Sequence, residues 1–107
     1  MGQTFHIKRN DTSPSLTYQL RPSSVDISGA AVVFNMRDKA GNVAVSRGAA
    51  VIVTASGGAV VRYDWQAGDT ATAGEYRAEF EVTYADGSVE TFPNADYLTV
   101  SIKEDLG

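Results

Sequence analysis

His6 is the only histidine in a chain of 107 residues that has no cysteine. A serine-type triad would need His6 as its base, and thiol nucleophiles, disulfides and thiolate-ligated zinc are excluded by composition. His6 stands between Phe5 and Ile7, out of phase with both. On an extended strand that phase places it on the polar face, where a lone histidine is a surface residue. Glu75, Glu79 and Glu81 share one phase of a later segment, with Arg77 between them. Carboxylates two positions apart on a strand lie about 7 Å apart, a separation compatible with acid and base in glycoside hydrolysis. A water-facing strand carries the same pattern, and no apolar cleft is signalled that would raise one pKa, so these carboxylates read as a solvated face. Asp26 and Asp86-Gly87 lack the ligand spacing of a calcium loop. Gly57-Gly58 precedes no helix and makes no phosphate loop. The residues therefore predict no catalytic site, no metal site and no cofactor.

Thirteen acidic residues against nine basic ones give a net charge of −4. The basic residues are dispersed, with Lys8-Arg9 the one adjacent pair. A nucleic acid or an anionic membrane is thus not an expected partner. The first fifteen residues are polar, with no apolar stretch resembling a secretory signal, and position 6 breaks the myristoylation pattern that Met1-Gly2 begins. Asn10-Asp11-Thr12 fits a glycosylation sequon but reads as a turn, being dense in residues that bond their own backbone.

What must position any site is a set of strands. The dominant period is two, and Gly, Pro, Asn and Asp recur about every ten residues, as in a β-sandwich or barrel. Strand candidates cover residues 4–9, 15–20, 25–29, 31–37, 43–47, 49–54, 59–65, 75–84, 89–92 and 97–103. Residues 75–84 are the clearest: Tyr76, Ala78, Phe80, Val82 and Tyr84 alternate with charged or polar residues, the pattern of an antiparallel strand with one wet face. Asp86-Gly87 signals the following hairpin, and Pro93 predicts a break in the last strand. No segment carries a helical apolar stripe. The reading is an all-β, immunoglobulin-like antiparallel sandwich of about seven to nine short strands, one domain over residues 1–107 with a polar tail at 104–107.

Phe34, Trp65, Tyr76, Phe80 and Val82 are the expected structural core. Trp65, the sole tryptophan, shares a phase with Val61 and Tyr63. Tyr76 begins its strand after a turn-rich stretch, the place of the tyrosine corner of immunoglobulin-like domains, whose hydroxyl bonds to upstream backbone. The segments around Val43, Val45, Val51 and Val53 are poor in charge, and these four valines are the expected assembly edge.

Segments 5–14, 25–30, 33–37, 63–70, 74–82 and 90–93 occur in an order that resembles the N-terminal domain of the phage baseplate upper protein family. The stretch from Tyr63-Asp64-Trp65 to Phe92-Pro93 is the most specific part. The resemblance implies a non-enzymatic virion structural protein. It would be an adaptor or accessory subunit of tail, baseplate, neck or capsid surface, assembled in the bacterial host cytoplasm. Its partners would be other virion structural proteins, or further copies of itself. The alternative reading is an adhesin-like or carbohydrate-binding sandwich, because one fold hosts many functions.

Overall fold

A computed structural model describes residues 3–106 of the chain. Nine strands follow in order: β1 (Thr4–Lys8), β2 (Leu16–Gln19), β3 (Ala31–Asp38), β4 (Val43–Ala49), β5 (Val51–Thr54), β6 (Val60–Tyr63), β7 (Gly74–Thr83), β8 (Val89–Phe92) and β9 (Leu98–Lys103). They form two sheets. One has the order β1-β9-β7-β3-β4, with β8 also paired to β7; the other has the order β2-β6-β5. The molecule is an immunoglobulin-like β-sandwich.

Alternation makes the core. On β7, Tyr76, Ala78, Phe80 and Val82 are all buried, while Glu75 and Arg77 face water. β3 offers Val32, Phe34 and Met36 to the same layer, in register with Val82, Phe80 and Ala78. Phe34 is central: its ring lies 5.0 Å from Phe80 and meets Trp65 edge-on at 5.7 Å. Such tilted and edge-to-face contacts suit the ring quadrupoles and add to the area term. Trp65 is buried, and its Nε1 donates to the Pro14 carbonyl at 3.1 Å, so its one polar atom is satisfied inside the core.

β8 and β9 lie end to end along one side of β7. β8 pairs with residues 80–83 and β9 with residues 74–78. Pro93 interrupts what would otherwise be one long strand, since it has no N–H for the ladder.

Three features depart from the sequence reading. β1 runs parallel to β9, from Thr4 beside Thr99 to Lys8 beside Lys103, so the sandwich is not wholly antiparallel. Residues 25–29 form turns, not a strand: Val25 N–H donates to the Pro22 carbonyl and Ala30 N–H to the Ile27 carbonyl. Ile27 is nonetheless fully buried, tied by its N–H to the Ala55 carbonyl at 2.8 Å. The apolar/polar alternation there reflects one anchoring side chain.

The four valines are also not one edge. Val45 points inward and is buried. Val43 is 61% exposed on β4, while Val51 and Val53, 39% and 51% exposed, lie on β5 of the opposite sheet. The separation arises because the chain crosses between sheets at Ala50. β4 is also bulged against β3, Phe34 facing Gly48 but Met36 facing Val45.

Candidate functional site

The groups that could do chemistry are dispersed over the outer face of the larger sheet. Register places His6 beside Ser101, and Ser101 beside Glu75, on the adjacent strands β1, β9 and β7. Side chains of all three types in one row invite a triad reading. No hydrogen bond joins them among the described residues, and Glu75 is taken up by Lys39, whose Nζ lies 3.3 Å from its carboxylate. Glu81 is likewise matched, accepting from Arg47 Nη1 at 2.9 Å. Among the described residues no group of three or more His, Cys, Asp or Glu side chains gathers as a metal cage.

The perturbed tyrosines are structural in geometry. Tyr63 is buried, and burial raises its pKa first; its hydrogen bond to Asp69 Oδ2, at 2.6 Å, raises it further. The same carboxylate oxygen accepts the Gln66 N–H at 2.8 Å, so Asp69 binds the loop after β6 to the core. Tyr76 donates to the Thr72 carbonyl at 2.7 Å, four residues upstream, which is the tyrosine-corner bond. Tyr84 is pushed up to about 12, by burial and then by its hydrogen bond to Glu90.

The remaining functional features are strand edges. The smaller sheet is bordered by β2 and β5, the larger by β1, β4 and β8. Most of these rims are blunted. β4 carries Arg47 at φ 52° within its bulged stretch, β5 shifts register between Ile52 and Thr54, and β1 ends on Lys8. Bulges and edge lysines are the ordinary devices against strand addition. β2 (Leu16-Thr17-Tyr18-Gln19) has no charge, no proline and no register shift against β6.

The hydrogen-bond phase of β2 follows from its neighbour. Leu20 N–H donates to the Ala59 carbonyl at 2.8 Å, and the same register pairs Tyr18 with Val61 and Leu16 with Tyr63. In an antiparallel ladder alternate residues bond to the same side. The even-numbered positions therefore face β6, and the N–H and C=O groups of Thr17 and Gln19 face outward. Immunoglobulin-like sheets of the ABED type place another strand at this side of B. Here β1 pairs with β9 instead, and no strand borders β2 there among the described residues. Beside this rim, between the sheets, opens a slot of about 80 Å³ lined in part by Phe5, Leu16, Tyr18 and Leu98. The sequence reading did not single out β2. Alternation reveals which face a strand buries but not which strand lies beside it.

No protein-family model matches the chain, and no curated protein matches it. Among solved structures the fold is similar to CopC from Methylosinus trichosporium OB3b. The TM-score is 0.56 at 13% identity, over 100% of this chain and 89% of that one. A likeness at that identity speaks to the sandwich fold alone. The expectation of a phage virion adaptor is corrected here: the structural neighbour is CopC, and none of the comparisons points to a phage particle.

Proposed function

We propose that this chain is a non-catalytic β-sandwich interaction module that receives an extended segment of a partner protein along β2. The observation that carries the reading is the free rim of Thr17 and Gln19, unblunted and set beside the apolar slot. Strand addition draws affinity from main-chain hydrogen bonds and selectivity from pockets that take alternate side chains. The rim supplies the first requirement. A slot of about 80 Å³, with Phe5 and Leu98 on one wall and Leu16 and Tyr18 on the other, supplies the second for one short aliphatic side chain. The pairing of Glu75 and Glu81 with cations, and the absence of a hydrogen bond from His6 to Ser101, favour recognition over turnover.

The test is selection of peptides from a displayed random library on the purified chain, followed by amide exchange of the complex. Selected peptides are expected to protect the Thr17 and Gln19 amides. Thr17→Pro removes an N–H that β6 does not use, so it is expected to abolish binding while keeping the fold. Protection confined to another edge, or binding unchanged in Thr17→Pro, would overturn the reading.

A further inference from the structure

Two ion pairs mark the outer face of the larger sheet on either side of an unmatched row. Lys39 meets Glu75 at 3.3 Å, and Arg47 meets Glu81 at 2.9 Å. Between these rows Arg37 of β3 lies directly opposite Arg77 of β7. Like charges placed opposite each other across a ladder are destabilising. Neither guanidinium has a carboxylate within ion-pair distance among the described residues. Both line one depression of about 160 Å³, together with Asn35, Glu79 and Tyr97.

The groups around the pair are arranged as a holder would be. The Tyr97 ring lies 4.6 Å from the Arg77 guanidinium carbon, a cation–π contact that fixes the head of that side chain. Asn35 accepts the Arg47 N–H through Oδ1 at 2.8 Å, and its Nδ2 has no partner among the described residues. That amide is a further donor at the depression. Glu79 is the one carboxylate on the wall, against two guanidinium groups, so the depression keeps a net positive charge. A pair of forked donors with an adjacent amide suits a small oxyanion, because guanidinium groups bind carboxylate and phosphate oxygens in pairs.

We propose that Arg37, Arg77 and Asn35 form a binding site for a small oxyanion, a carboxylate or phosphate group. The bound anion offsets the repulsion between the two guanidinium groups. This site lies on the outer face of the larger sheet and is independent of strand addition at β2.

The experiment is a nuclear magnetic resonance titration of the chain with inorganic phosphate and, separately, with succinate, at constant ionic strength. Saturable shifts are expected at the Arg37 and Arg77 side-chain Nε–H and the Asn35 Nδ2 signals, with a Kd on the order of 1 mM for the better anion. The two arms separate tetrahedral from carboxylate chemistry: preference for either identifies the ligand class. Arg37→Gln and Arg77→Gln are each expected to weaken binding at least ~10-fold. Without anion, each is expected to hold or raise Tm, because a repulsive pair has been removed. A lack of saturable shifts with both anions would overturn the proposal. So would an affinity unchanged from the parent's in both variants, or a variant whose Tm falls without any loss of binding.

Discussion

The ring of Phe34 on β3 stacks on that of Tyr63 on β6, with centroids 4.4 Å apart and planes 15° from parallel. The two residues belong to opposite sheets, so this stack is a direct bond between the layers. It depends on a third position. Gly48 faces Phe34 across the β3–β4 ladder, and a Cβ there would come within 2.7 Å of Tyr63 Cε1 and 2.8 Å of Val45 Cγ1. Gly48→Ala is therefore expected to destabilise the fold by about 1–3 kcal/mol, as overpacking in a close-packed core does. Chemical denaturation reads the loss, and a midpoint equal to the parent's would refute the packing argument.

The hydrogen bond of Tyr76 to Thr72 gives a second expectation. The phenol bridges its strand to the preceding loop while its ring stays buried. Tyr76→Phe keeps the ring and removes the bond. Stability is expected to fall by about 1 kcal/mol, with the Thr72 carbonyl left to water. Thermal melting at neutral pH checks it.

Acid behaviour follows from the turn after β3. Asp38 accepts from the Asn42 side chain and from the backbone N–H groups of Asn42 and Ala40, and these bonds lower its pKa below the ordinary carboxylate value. A depressed native pKa adds stability above the unfolded-state value, about 4, and that stability is lost as pH falls through the native value. Asp38→Ala is expected to flatten the acid limb of a plot of Tm against pH. An acid limb of undiminished slope in the variant would count against this.

Alkaline behaviour has the opposite sign. Tyr84 is raised to about 12 by burial and by Glu90, and Tyr63 is raised by burial and Asp69. A raised native pKa gives stability that is whole below the unfolded value, about 10, and declines as pH rises toward the native one. Spectrophotometric titration at pH about 11 is expected to find Tyr63 and Tyr84 still protonated. Tyr84→Phe should lessen the fall in Tm over this range.

Much of the sandwich was legible because alternation is a local signal. Tyr76, Ala78, Phe80 and Val82 announce a buried face, and Asp86-Gly87 sits in the turn between β7 and β8. Tyr76 stood where its corner bond was expected. What alternation cannot carry is neighbourhood. The parallel pairing of β1 with β9 joins segments far apart in the chain, Thr4 beside Thr99. Val43 and Val45 share a phase in the sequence, so neither the bulge that buries Val45 and exposes Val43 nor the crossing at Ala50 that parts Val43 from Val51 was visible. Arg37 and Arg77 are unremarkable in the chain, and become a pair only through the β3–β7 register.

The parallel contact between β1 and β9 has a mechanical consequence. Its five residue pairs run from Thr4–Thr99 to Lys8–Lys103, so tension applied before β1 and after β9 pulls the two strands along their length in opposite directions. Their rungs would share that load in shear and yield together. A hairpin pulled from its open end gives way one rung at a time, so this domain is built to resist stretching through its two ends.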